Sequence, residues 1–225
     1  MNDRLVHLGG MWCPAGDPYF GPRLMSGDGA LWDGPAMQAV FELVTEWRCA
    51  VDVGAHIGTW TRQLAPRFDT VVAMEPDELN FAALQENLRG VGNTRLLPLA
   101  ASPRAGRFSL SHKGTVNSGQ GHLTPLQDDE PWVVGIPLDT LALAGVGFIK
   151  LDVEGLEVEV IGGAEKTIRE NCPVIALEEN VCATRYGHKA GDARAVLEGW
   201  GMQEIARFEF AANNFDVIMD WIDPS

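Results

Sequence analysis

Nowhere in the 225 residues is there an apolar run approaching the roughly 18 residues that a membrane span requires. The N-terminal stretch MNDRLVHLGGMWC carries Arg4 with no continuous apolar segment behind it, so it does not read as a secretory leader. Cysteine is also scarce. Cys13, Cys49, Cys172 and Cys182 lie far apart with no C-x-x-C pair, which speaks against a zinc site or a disulfide framework and for reduced, partly buried thiols. These absences lead to the expectation of a cytoplasmic protein with no membrane contact. Positive charge is short as well: 17 Lys and Arg face 31 Asp and Glu, a formal net charge of -14. The basic residues are dispersed, and the resulting field repels phosphate backbones, which disfavours nucleic acid as a partner. Internal repeats and low-complexity tracts are absent.

What is present suits one compact α/β domain. The apolar content is 46%, and a chain of this size buries roughly 70% of its unfolded surface without staples. Residues 9–35 are rich in Gly, Pro and Asp and are expected to be an irregular cover. A helix should follow, because Met37, Val40, Phe41, Val44 and Trp47 share one helical face and Pro35 suits a first turn. Residues 1–48 thus read as a cover segment with a helix, and 49–225 as the main domain. From Cys49 the apolar runs CAVDVG, TVVAME, TRLLPLAA, VGFIKLD and PVIALEE alternate with helical spacing, the pattern of βαβ units. One intervening helix carries Phe81, Leu84 and Leu88, with Asp77 as N-cap and Gly90 beyond its end. Another carries Ala193, Val196, Leu197 and Trp200. Residues 104–137 interrupt the alternation and read as a hairpin insertion or lid. MQEIARFEF and NFDVIMDW then form an antiparallel C-terminal hairpin.

The chemistry gathers at strand ends. In Asp52-Val53-Gly54-Ala55-His56-Ile57-Gly58-Thr59-Trp60 a buried strand turns through glycines into a helix, where the backbone can approach a ligand and free N–H groups are offered. Such a turn alone also serves nucleotides or packing. Glu75 ends the next strand about 20 residues on, where an acid can accept both ribose hydroxyl hydrogens of an adenosine-type ligand. The turn is not G-x-G-x-x-G, and Asp52 suits the ammonium of a methionine moiety better than a diphosphate; it would equally serve as an anchor for the loop's own N–H groups. Asp152 and Glu178 end two further strands on the same edge. Converging carboxylates imply a cationic or hydroxyl-rich ligand, or a metal. For removing a hydroxyl proton the histidines His112, His122 and His188 are candidates, His188 foremost because it follows the strand end at Glu178, Glu179 and Asn180. Mg²⁺ held by Asp152, Glu178 and Asn180 is the alternative.

In order along the chain, VDVGAHIGTWT, AMEPDELNFAALQENL and FIKLDVEGLEVEVIGGAE resemble FkbM-type methyltransferases, with PLDTL and VIALEEN also matching, from about Asp33 to Trp221. His56 stands where that family usually has Asn. The resemblance implies a Rossmann-like class I fold: a mostly parallel seven-stranded sheet, an antiparallel C-terminal hairpin and helices on both faces. It also implies S-adenosylmethionine as donor and a hydroxyl of a small molecule, sugar or glycan as acceptor. The expected donor-binding set is Asp52, Gly54, Ala55, His56, Gly58, Thr59, Trp60, Glu75, Pro76, Ala101, Ser118 and Asp152. The expected catalytic set is Asp152, Glu154 and His188. A nucleic-acid methyltransferase, a NAD-dependent oxidoreductase and a non-catalytic donor-binding module are the rival readings.

Overall fold

A computed structural model describes residues 4–26, 34–112, 117–128 and 131–222. Its centre is a seven-stranded sheet built from β1 (Cys49–Val53), β2 (Thr70–Met74), β3 (Thr94–Leu97), β4 (Val146–Leu151), β5 (Val174–Glu179), β6 (Met202–Ala211) and β7 (Asn214–Trp221). The spatial order is β3-β2-β1-β4-β5-β7-β6. The sheet is mixed rather than purely parallel: β1 to β5 pair in parallel, whereas β7 runs antiparallel to both β5 and β6.

Burial on both faces explains the near-continuous apolar runs of the inner strands. On one face Val51, Val53, Ile149 and Leu151 pack against Val160 and Ile161 of α5 (Glu157–Gly162), Ile168 of α6 (Glu165–Asn171) and Leu197 of α7 (Asp192–Gly199). On the other, Ala50 and Phe148 meet Met37 and Val40 of α2 (Gly34–Leu43) and Trp60 and Leu64 of α3 (Thr59–Leu64). Helix α4 (Glu78–Asn87) seats Leu84 in a smaller cluster with Ala73. Its N-cap is Asp77, whose side chain accepts from Leu79 N and Asn80 N, a cap worth roughly 0.5–2 kcal/mol.

Two expectations change. Part of residues 9–35 is regular: Leu5–Leu8 pairs antiparallel with Met11–Pro14, and α1 (Phe20–Ser26) follows. Gly9 and Gly10, at φ 55° and 85°, make the tight connection. The hairpin docks on α4 through Asn87, whose Oδ1 accepts from Trp12 N (2.6 Å) and whose Nδ2 donates to Trp12 O (2.9 Å) and Ile57 O (2.7 Å). Residues 27–33 of that expected cover lie outside the described residues. The run TRLLPLAA, for its part, does not make a single strand. Pro98 has no N–H to extend a ladder, and Ala100–Ala101 leave the central sheet to pair with Trp132–Ile136. Together with Gly106–Ser111 and His122–Thr124 they form a second sheet of four strands, so the expected insertion is more than a hairpin. Residues 113–116 and 129–130 of it lie outside the described residues.

Candidate active site

The strand order reverses between β1 and β4, and the crevice at their carboxyl ends is where open α/β sheets bind ligands. Asp152 follows β4 directly beside the turn that follows β1. Contact is so close that a Cβ on Gly54 (φ 79°) would lie 1.8 Å from the Asp152 carbonyl oxygen. A cleft of about 1310 Å³, counted out to its open mouth, lies over this edge.

One wall is formed by the glycine turn and the end of β2. Glu75 is buried, and its carboxylate accepts from His56 N and Asp77 N, both at 2.8 Å. Burial raises its pKa to about 7 against these hydrogen bonds. His56 sits at φ 51° and its Nε2 lies 2.8 Å from Ser118 Oγ, with its ring 4.2 Å from that of Phe20. Burial lowers its pKa to about 4, so the ring is neutral at pH 7. Ser118, in a short 3-10 turn between two strands of the second sheet, also donates its N–H to Asp17 (2.8 Å) and accepts from Asn80 Nδ2 (2.9 Å). Three segments distant in sequence thus converge on one serine.

The opposite wall is acidic. Asp152, Glu154 and Glu178 each offer an oxygen within 4.8 Å of the others. Lys150 Nζ lies 2.7 Å from Asp152 Oδ2. Burial alone would raise Asp152, but the Lys150 ammonium and a hydrogen bond from Glu178 outweigh it and hold the pKa low. Glu178 is pushed the other way, first by burial and then by the Asp152 charge. Burial and the Asp152 charge raise Glu154 to about 7, although Cys182 and Arg185 reach it at 3.3 and 3.5 Å. Glu154 is held at φ 56°, and Glu157 below it accepts from Val153 N and Gly155 N (3.2 Å each), which fixes the turn.

A glycine-bounded turn, an acid at the end of β2 and a carboxylate-rich end of β4 and β5 surround one cleft, and the methyltransferase FkbM domain is matched over residues 52–209, more than half of the sequence. The chain belongs to the FkbM methyltransferase family. A methyltransferase FkbM from Methylobacillus flagellatus KT shares the fold at a TM-score of 0.54 and 16% identity, covering 87% of this chain and 54% of that one. Trm5b from Pyrococcus abyssi does so at 0.51 and 13%, covering 98% and 56%. A curated relative, ribosomal RNA small subunit methyltransferase A of Moorella thermoacetica (strain ATCC 39073 / JCM 9320), is 37% identical over 73 residues, 32% of this chain and 25% of that protein. The chain therefore spans about half the length of the FkbM structure and a quarter of the curated relative.

Of the residues expected in this FkbM member's site, Gly54, Ala55, His56, Thr59, Trp60, Glu75, Pro76, Ala101, Ser118, Asp152, Glu154 and Glu178 line the cleft. Four expected residues do not. Asp52 is fully buried within β1 and accepts from Thr61 Oγ1 at 2.6 Å, so it anchors α3 instead of facing an ammonium group. Gly58 (φ 91°) is packed under α4, where a Cβ would meet Leu84 at 2.6 Å. Asn180 spends its oxygen on Cys182 N (2.8 Å), and Glu154 takes its place in the carboxylate group. His188 faces Glu159 (2.9 Å) away from the cleft, which removes it as a base. The other histidine candidates fare no better, since His112 is exposed on Asp77 (3.1 Å) and His122 contacts Gln120 O (3.5 Å). Lys150 and Asn80 are cleft residues the sequence reading missed. Both carry their signal weakly, one as a lysine inside an apolar run and the other as a polar residue on an otherwise ordinary helix.

Proposed function

We propose that the protein transfers a methyl group from S-adenosylmethionine to a hydroxyl of a small molecule, sugar or glycan. The observation that carries this is the pairing, across one cleft, of buried Glu75 beside the glycine turn with the carboxylate group Asp152, Glu154 and Glu178. The wall also fits the donor's chemistry. Trp60 and Asn80 line the cleft, and the aromatic face of the one and the amide of the other suit the apolar and polar parts of the donor.

When bound, S-adenosylmethionine supplies a methyl group made electrophilic by its sulfonium. Glu75 holds the ribose side and the Gly54–His56 turn lets the chain approach it. Asp152 stays ionised beside Lys150 and directs negative potential at the cationic donor and the incoming hydroxyl. Glu154, with a pKa of about 7, is matched to taking the hydroxyl proton as oxygen attacks carbon. Glu178, raised by burial and by the Asp152 charge, lies against Asp152 and helps hold that carboxylate in place. Asp152, Glu154 and Glu178 are also the hard oxygen ligands that would hold Mg²⁺, whose charge would lower the pKa of the acceptor hydroxyl.

A nucleic-acid acceptor is the second reading, favoured by the ribosomal RNA methyltransferase relative. Against it stand the net charge of -14 and a cleft whose lining includes Asp77, Asp152, Glu154, Glu178 and Asp216. Titration calorimetry with S-adenosylmethionine and with NAD tests the donor. Micromolar binding of the former alone is expected, and binding of NAD alone would sink the proposal.

A further inference from the structure

We propose that Arg185 is a positioning residue for the methyl transfer, holding Glu154 within reach of the acceptor; this rests on the reading of Glu154 as the base. The φ of 56° at Glu154 is a conformation that a side-chain-bearing residue keeps only when its surroundings impose it. Glu157 fixes the turn through Val153 N and Gly155 N, and neither bond touches Glu154 itself. Among the described residues, the side chains that hydrogen-bond Glu154 come from one element, the short 3-10 helix Val181–Tyr186 that follows β5. Arg185 Nη1 donates to Glu154 O at 3.1 Å and lies 3.5 Å from Oε2, while the Cys182 thiol donates to Oε2 at 3.3 Å. One guanidinium therefore grips both the main chain and the carboxylate of the base.

The helix is itself held at both ends. At one end its backbone abuts the base's turn, where a Cβ on Gly155 would lie 2.3 Å from Cys182 O. At the other, Tyr186 Oη donates to Leu123 O at 2.7 Å. Leu123 belongs to the second sheet, is paired with Leu110, and lines the cleft with it. The cover over the cleft and the base inside it are thus tied to one helix, and Arg185 is the contact through which the helix sets the base. Arg185 does not line the cleft, whereas Glu154 does. Its effect must therefore pass through Glu154 and leave the donor untouched.

The test is labelled-methyl transfer into a deproteinised extract of small molecules and glycans, with S-adenosylhomocysteine titrated in parallel. It compares wild type, Arg185→Met, Arg185→Lys, Glu154→Gln and the double variant of Arg185→Met with Glu154→Gln. Arg185→Met keeps the apolar stem and removes the hydrogen-bond donors. Its donor-saturated turnover should fall about tenfold or more, as misplacing a reacting group does, with S-adenosylhomocysteine binding unchanged. Arg185→Lys restores a cation that can reach the Glu154 carbonyl and should recover part of the loss. In the Glu154→Gln background Arg185→Met should cost nothing further, because a residue that acts through another has nothing left to position. The proposal is overturned if the two losses add in full, if the loss appears equally in S-adenosylhomocysteine binding, or if Arg185→Met turns over like wild type. Should circular dichroism show Arg185→Met to be unfolded, Tyr186→Phe loosens the other end of the helix and should give the same pattern on a smaller scale; full turnover there overturns the proposal. Wild-type turnover in Glu154→Gln alone would instead remove the base reading, and absence of label with wild type would remove the methyl-transfer reading itself.

Discussion

Glu154 occupies the left-handed region at φ 56°, a conformation that costs a side-chain-bearing residue on the order of 1–2 kcal/mol. Gly155 beside it, at φ 106°, cannot carry a Cβ because Cys182 O would lie 2.3 Å away. Such strain is retained where the surroundings over-determine it, here by Glu157 beneath the turn. Donor-saturated turnover should rise with pH through about 7 as Glu154 ionises. In Glu154→Gln it should be flat and about a hundredfold lower, the contribution expected of a positioned base. A rising profile that survives in the variant would move the base elsewhere. Donor affinity reports a different group. Ionised Glu75 accepts a hydroxyl hydrogen more strongly than its protonated form does, so affinity should fall as pH drops below about 7, and Glu75→Ala should weaken binding tenfold or more, as loss of a charge-assisted hydrogen bond does. Titration at several pH values checks both.

Among elements, α4 does the most to shape the donor side, since Asp77 caps it, Asn80 faces the cleft and Asn87 ties down the N-terminal hairpin. Gly58 is the fulcrum. A Cβ there would meet Leu84 Cδ1 at 2.6 Å and Leu88 Cδ2 at 2.9 Å, at a φ of 91° that side chains avoid. Gly58→Ala should therefore destabilise the fold by about 1–3 kcal/mol, as overpacking does, and weaken donor binding as α4 shifts. Denaturant melts and titration read the two effects. The α/β alternation, the Asp77 cap and the closing hairpin were legible in the sequence because each has a local cause: period, capping chemistry or a short turn. The N-terminal hairpin was overlooked although Gly9-Gly10 marks it, because four-residue strands scarcely show a period. Asn180 and His188 were misplaced for another reason. Chain position puts a residue near a strand end but does not aim its side chain, and a local N–H captured the Asn180 oxygen while Glu159 captured the His188 ring.

For the molecule as a whole, buried acids dominate. Burial raises Glu75 and Glu157 to about 7, so the folded state holds protons that the unfolded chain releases at lower pH. Their contribution to stability is greatest below the ordinary glutamate range and is lost as pH rises through about 7. Asp17 and Asp77 work in the opposite sense: hydrogen bonds from Ser118 and from His112 offset burial and hold them low, giving stability that fades only in stronger acid. The melting temperature should accordingly be higher at pH 5.5 than at pH 7.5, and Glu157→Gln should narrow the gap. An unchanged gap would take Glu157 out of the account and leave the trend to Glu75 and to general self-repulsion of the -14 charge. The same acidity, concentrated around the cleft, bears on the acceptor. The most direct measurement supplies methyl-labelled S-adenosylmethionine to the purified protein with two separate pools, total RNA and a deproteinised extract of small molecules and glycans. Label should enter the small-molecule and glycan pool with wild type and fall at least about a hundredfold with folded Asp152→Asn, as loss of an electrostatic anchor at the reacting centre requires. Label appearing in the RNA pool alone would contradict a small-molecule or glycan acceptor.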